Sequence, residues 1–246
     1  MTKVFIATPC GELSRYSTFW RSLVGLELPQ GVSICPESEQ CRSPYIQNNQ
    51  NILARLFLKT DADYFWLVND DQLYPPRILA QLISHRKEVV VPLCLRHDYP
   101  WEPLIYDRIE EDGETFHYRY LARSDIGLIP IVASGGGGML IHRRVLASIP
   151  DPWWETHTAY PQGMPPTQTT EDLDFCRKVT RAGFDMWCDT AAWVGHITLF
   201  DVWPFRQPDG TWVTVISRGE HQIAVPAAAS PLSIEQPPPS LSLVGS

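Results

Sequence analysis

The chain has 246 residues, 44% hydrophobic and 20% charged, with a formal net charge of −8. That length and balance suffice for a full buried core and exclude a disordered or coiled-coil chain over most of the sequence. The acidic charge argues against a broad nucleic-acid surface, which needs a clustered basic face.

The first half alternates strand and helix patterns, the signature of a parallel sheet with crossover helices. Residues 4–7 (Val-Phe-Ile-Ala) read as a strand that ends at Thr8-Pro9-Cys10-Gly11, followed by a helix over 14–26 and a second strand over 32–35. Ser43-Pro44 opens a helix in which Ile46, Asn49 or Gln50, Leu53, Leu56 and Phe57 recur at helical spacing. Residues 64–68 (Tyr-Phe-Trp-Leu-Val) form an apolar strand running straight into Asn69-Asp70-Asp71. A buried strand carries charge only where it emerges, at the carboxyl edge where open α/β sheets bind ligands. Pro75-Pro76 starts a helix to about residue 85, and 89–93 is a β-branched strand.

The middle pairs short strands, 104–107 with 116–121, around the acidic turn Glu110-Glu111-Asp112-Gly113; a strand over 128–133 precedes the glycine run 135–138 and Met139-Leu140-Ile141. Residues 150–166, rich in Pro, Trp and Gly, form a lid-like loop, about 150–170 in all, in which Trp153, Trp154 and Tyr160 are suited to stacking on an acceptor ring or to wedging the loop onto the domain. A helix follows over 171–182, then a strand over 184–188 and an ordered segment over 193–197. Residues 224–246, rich in Pro, Ala and Ser, read as a flexible tail, which leaves 1–223 as a single domain. Six cysteines without a Cys-x-x-Cys pair read as reduced residues of a cytoplasmic protein. The N-terminus enters its first strand too early for a signal peptide, and no apolar run reaches the roughly twenty residues of a membrane span.

Four separated pieces carry the chemistry: Asn69-Asp70-Asp71, the glycines 135–138, Thr170-Glu171-Asp172, and Val194-Gly195-His196-Ile197. Taken singly they have plain structural readings: an Asx turn, a flexible turn, a capped helix N-terminus, and a core histidine. Their order and spacing resemble the metal-dependent glycosyltransferases of the GT-A fold, the nucleotide-diphospho-sugar transferases, over about residues 3–200. The resemblance implies a three-layer α/β/α sandwich with a mostly parallel central sheet, and transfer of a sugar from a nucleoside diphosphate, expected to be uridine-linked, to an acceptor hydroxyl.

By that resemblance Asp71 stands where the family's Asp-x-Asp motif holds a divalent cation on the donor diphosphate, and His196 completes the metal shell. Asn69 replaces the first carboxylate of the motif, so Asn69 or Asp70 is expected at the ribose or at a metal-bound water. Oxygen ligands with one imidazole suit Mn2+ or Mg2+. The resemblance makes Asp172 the base that deprotonates the acceptor, with Glu171 beside it, and places Gly136 and Gly137 by the donor sugar. Thr8, Pro9, Glu12, Arg42 and Asn51 are implied donor contacts. The acceptor stays open among a glycan, a metabolite, a protein side chain and a hydroxymethylated DNA base, and so does the stereochemistry. Two other readings remain: a nucleotidyltransferase, for which residues 8–13 lack the Arg-containing glycine-rich loop, and a non-catalytic carbohydrate-binding or assembly protein on a degenerate fold.

Overall fold

The computed structural model of the chain describes residues 1–11, 16–97, 101–110, 115–159, 167–206, 208–210, 212–218 and 221–226. Its first half contains β1 (Thr2–Cys10), α1 (Ser17–Val24), β2 (Val32–Ile34), β3 (Glu39–Arg42), α2 (Ile46–Lys59), β4 (Tyr64–Leu67), β5 (Gln72–Leu73), α3 (Ile78–Ser84) and β6 (Val89–Leu93). Then come β7 (Ile105–Ile109), β8 (Phe116–Tyr118), β9 (Leu128–Ile131), β10 (Ala133–Ser134), β11 (Leu140–His142), α4 (Arg143–Ser148), β12 (His157–Ala159), β13 (Thr167–Thr169), α5 (Glu171–Arg181), β14 (Met186–Trp193) and β15 (Gly195–His196). The last are β16 (Asp201–Arg206), β17 (Trp212–Arg218) and β18 (His221–Pro226).

The central sheet has eight strands in the order β2-β1-β4-β11-β6-β14-β9, with β3 also on β1. Strands β1, β2, β3, β4, β6 and β14 run one way, while β11 and β9 run against them. Successive side chains of a strand face opposite sides, and β4 shows the result. Phe65 and Leu67 pack into a core with Leu53, Phe57 and Phe175, from α2 and α5; Trp66 and Val68 pack into a second core with Phe19, Ile78 and Leu82, from α1 and α3. Both faces are thus covered, giving the three-layer α/β/α sandwich with a mostly parallel sheet.

Several expectations need correcting. The first strand does not stop at Thr8; Thr8, Pro9 and Cys10 continue β1 and pair with Gln40, Cys41 and Arg42 of β3. Between β2 and β3 the chain leaves the edge of β1, and the Ser38 hydroxyl accepts the Ile6 N–H at 2.9 Å in the gap. The second helix starts at Ile46, with the Ser43 hydroxyl instead accepting the Tyr45 N–H. The strand expected over 128–133 is two strands, β9 on β14 and β10 on β7, because the chain changes sheets at Val132. Within the lid-like loop, β12 and β13 pair as an antiparallel ladder. A three-stranded antiparallel sheet, β16-β17-β18, follows the core, and β18 runs across the expected 223/224 boundary. None of the six cysteines is in a disulfide, and no helix among the described residues is long and apolar enough to cross a membrane.

Candidate active site

Two backbone ladders bring Asp71 and His196 together. Strand β14 follows β6 until Trp193 pairs with Leu93, and the Val194 N–H donates to the Leu93 carbonyl at 3.0 Å. The chain then crosses to β5, where Gly195 faces Leu73 and His196 faces Gln72, and the Ile197 N–H donates to the Asp71 carbonyl at 2.7 Å. As a consequence His196 Nε2 stands 3.3 Å from Asp71 Oδ2.

The other ring nitrogen of His196, Nδ1, lies 2.9 Å from the Leu95 carbonyl oxygen. A carbonyl only accepts, so Nδ1 carries a proton and Nε2 faces the carboxylate, the orientation that metal-ligating histidines take from such a partner. Burial opposes charge on this ring, but the bond to Asp71, with further help from Cys94 and the Leu95 carbonyl, prevails and raises its pKa to about 10. Two acceptor atoms facing each other at this spacing need a proton or a cation between them. Cis ligands of an octahedral ion with bonds of about 2.1 Å stand about 3.0 Å apart, so a divalent ion fits with little movement.

The rest of the strand end sorts by exposure. Asp70 is 4% exposed, whereas the Asp71 side chain is 43% exposed, so Asp71 is the carboxylate presented to solvent. Asn69 Oδ1 is buried with no hydrogen-bond partner among the described residues. The fully buried Tyr74 hydroxyl secures this turn, donating to Gln72 Oε1 at 2.7 Å and lying 3.3 Å from the Asn69 carbonyl.

Asp172, in the first turn of α5, has both carboxylate oxygens held. Oδ2 accepts from the Gly136 N–H at 2.7 Å, and Oδ1 accepts from Gln50 Nε2 of α2 at 3.1 Å. Burial and then the Glu171 charge push its pKa up to about 7, against the lowering effect of those two bonds; the Asp71 charge adds a smaller upward push. Burial also raises Glu171. Thr170 occupies the N-cap position, but its hydroxyl makes no capping bond.

The glycines serve this arrangement through the side chains they lack. A Cβ on Gly136 would meet Asp172 Oδ1 at 2.5 Å and Leu67 Cδ2 at 2.9 Å, and one on Gly137 would land on the Gln72 amide. The missing side chains make room for Asp172 and Gln72.

Of the remaining expected contacts, Thr8 lines a cavity of about 310 Å³ together with Trp20, Glu39 and Gln40. Pro9 is buried and Arg42 exposed at the same strand ends. Asn51 points elsewhere: its Oδ1 accepts the N–H groups of Trp153 and Trp154 at 2.9 and 3.1 Å, and its Nδ2 donates to the Trp154 carbonyl at 2.8 Å. It is a clamp on the loop.

Trp153 and Trp154 are likewise corrected. They are 4% and 1% exposed, and the Trp154 ring stacks on Phe175 at 4.5 Å between centroids, so neither offers a face to an acceptor. Glu12 and Tyr160 lie outside the described residues.

Gln50, Gln72 and Tyr74 belong to the site and were not singled out by sequence. Their signal was present for Gln50 alone, as a polar residue in the apolar register of α2. Glu155, His157 and Asp174 also bring ligand-type atoms within 4.8 Å of one another. Lys178 Nζ, however, sits 2.6 Å from Glu155 and 2.7 Å from Asp174, and Arg177 pairs with Asp174, so ammonium and guanidinium groups already fill the cation positions.

No protein-family model and no curated protein matches the sequence. Among solved structures the chain is similar to A197 from STIV, with a TM-score of 0.52, 16% identity, and coverage of 90% of this chain and 96% of that one. It is also similar to GalNAc-T7, determined with UDP, GalNAc and Mn2+, with a TM-score of 0.52, 13% identity and coverage of 80% of this chain. That match spans 44% of the GalNAc-T7 chain. The likeness establishes a GT-A-like fold.

Proposed function

We propose that the protein is a metal-dependent glycosyltransferase that moves a sugar from a nucleoside-diphosphate sugar, uridine-linked, to an acceptor hydroxyl. The observation that carries this reading is the meeting of His196 Nε2 and Asp71 Oδ2 at 3.3 Å, at the ligand-binding edge of a GT-A-like sheet. At the level of the fold, the similarity to GalNAc-T7, whose structure contains UDP, GalNAc and Mn2+, supports it.

Asp71 and His196 would hold the cation, Mn2+ or Mg2+, which when bound offsets the negative charge that gathers on the departing diphosphate. The protein's own groups do the rest. The Leu95 carbonyl fixes the His196 ring so that Nε2 stays directed at the site. Asp172 takes the proton from the acceptor hydroxyl as it attacks the anomeric carbon, and a carboxylate with a pKa near 7 is matched to that task. Gly136 N–H and Gln50 hold the two oxygens still, each retaining a lone pair for the proton. A single displacement with a poised base inverts the anomeric centre.

A second reading, a carbohydrate-binding or assembly protein without turnover, draws on Asn69, an amide with an unpartnered buried oxygen where the family motif has a carboxylate. A screen of nucleotide sugars for release of the nucleoside diphosphate separates the two, with Asp71→Ala as control. Metal-dependent release lost in that variant supports the transferase. Release unchanged by the substitution sinks the metal assignment, and donor binding without release supports the second reading.

A further inference from the structure

Gln50 is 1% exposed on the face of α2 that also buries Leu53, Ala54 and Phe57. An uncharged amide in that position is costly unless both its ends are bonded. Here one end is: Nε2 donates to Asp172 Oδ1, across 122 positions of sequence, while Oε1 is buried with no hydrogen-bond partner among the described residues. An apolar side chain of the same length would pack there without an orphan oxygen. The amide is therefore explained by what it holds and not by the core it sits in.

We propose that Gln50 is a positioning residue for the catalytic carboxylate, fixing Asp172 in both of its protonation states. This rests on the reading of Asp172 as the base. As a donor, the Nε2–H group holds the ionised carboxylate. Once Asp172 has taken the acceptor proton, a half-turn of the amide directs Oε1 at the new O–H, so the partner that is unsatisfied before the reaction is the one needed after it. A lysine or arginine would make a stronger bond to the carboxylate, but its charge would favour ionisation and weaken Asp172 as a base. A neutral donor that also accepts avoids that.

The groups that act on Asp172 from the surrounding elements are the Gly136 N–H from the glycine turn, Gln50 from α2, Glu171 from its own helix and Asp71 from the end of β4. The buried Cys176 thiol, one turn along α5, is held neutral by burial. Gln50 is the one side-chain hydrogen bond among the causes of the Asp172 shift, which makes it the part of this set that a substitution removes most cleanly.

Gln50→Met keeps the length and loses the bond; Gln50→Asn keeps the amide but is too short to reach. The test is the pH–rate profile of nucleoside-diphosphate release together with a carbon-13 carboxylate titration of Asp172, assigned with Asp172→Asn. In both variants the acid limb and the Asp172 titration should move up by about one pH unit, because the charge-assisted bond to the ionised form is the stronger of the two that are lost. Turnover lost at pH 6.5 should return in large part at pH 8.5. A loss equal at every pH, with the Asp172 titration where it was, would overturn the proposal and leave Gln50 a packing residue. The titration reads the folded protein without turnover. If the wild-type chain releases no diphosphate from any donor, the transferase reading fails, while the titration still decides whether Gln50 governs Asp172.

Discussion

At the scale of single residues, the site depends on a carboxylate and an imidazole nitrogen held close together. If a cation sits between them, Asp71→Ala and His196→Ala should each lower turnover on the order of 100-fold or more, the size of effect a metal supplies at a leaving diphosphate. The raised pKa of Asp172 carries a second consequence. Its folded value of about 7 lies above the ordinary 3.8, so the folded chain binds this proton more tightly, and its ionisation weighs against the fold as the pH rises through that window. Asp172→Asn should therefore raise the melting temperature at pH 8 but not at pH 4, by about 2–4 °C for each kcal/mol of relieved charge, while abolishing turnover. A melting temperature raised equally at both pH values would contradict the assignment. Asp71, Glu171, Asp172 and His196 were legible through the order and spacing of four pieces that together resemble the GT-A family, since each piece alone has a plain structural reading. Gln72 and Tyr74 carry no local signal, and Gln50 only that of a polar residue in the apolar register of α2, because its role exists through a contact with a segment 122 positions away.

At the scale of elements, the structure moves the aromatic loop from recognition to support. Asn51 ties α2 to the backbone of Trp153 and Trp154, and the Trp154 ring lies on Phe175 of α5. Asn51→Ala should cost about 1–3 kcal/mol by leaving two N–H groups unpaired, and Trp154→Ala about 3–5 kcal/mol through the cavity it opens. Chemical denaturation measures both. Donor affinity of the folded fraction should be unchanged, and a selective loss of donor or acceptor binding would restore a recognition role. Gly137→Ala should do the opposite, displacing Gln72 from the turn that carries Asp71 and reducing turnover more than stability. The position of the paired tryptophans in a Pro-rich segment was legible; their direction was not. A ring pointing out to a ligand and one pointing into the core have the same local sequence, and the buried Asn51 that decides between them lies about a hundred positions away.

At the scale of the whole molecule, the alternation of strand and helix in the first half was enough to indicate a sheet covered on both faces, because apolar strands buried on two sides need helices over each. The strands that reverse direction, β9 and β11, and the C-terminal sheet of β16, β17 and β18 were harder to read, since short strands give the same pattern whichever neighbour they pair with. That last sheet makes the limit of the domain testable. Truncation after residue 226 leaves every described strand whole and should keep the melting temperature, whereas truncation after 223 cuts β18 and should lower it. Equal melting temperatures would show that β18 adds nothing to the fold.

The proposed activity turns on a metal-linked nucleotide site, and calorimetric titration of UDP with and without Mn2+ tests it most directly. The predicted result is binding tightened at least about tenfold by the metal in the wild-type chain and not in Asp71→Ala or His196→Ala. The same affinity with and without Mn2+, or a metal effect that survives both substitutions, would contradict it.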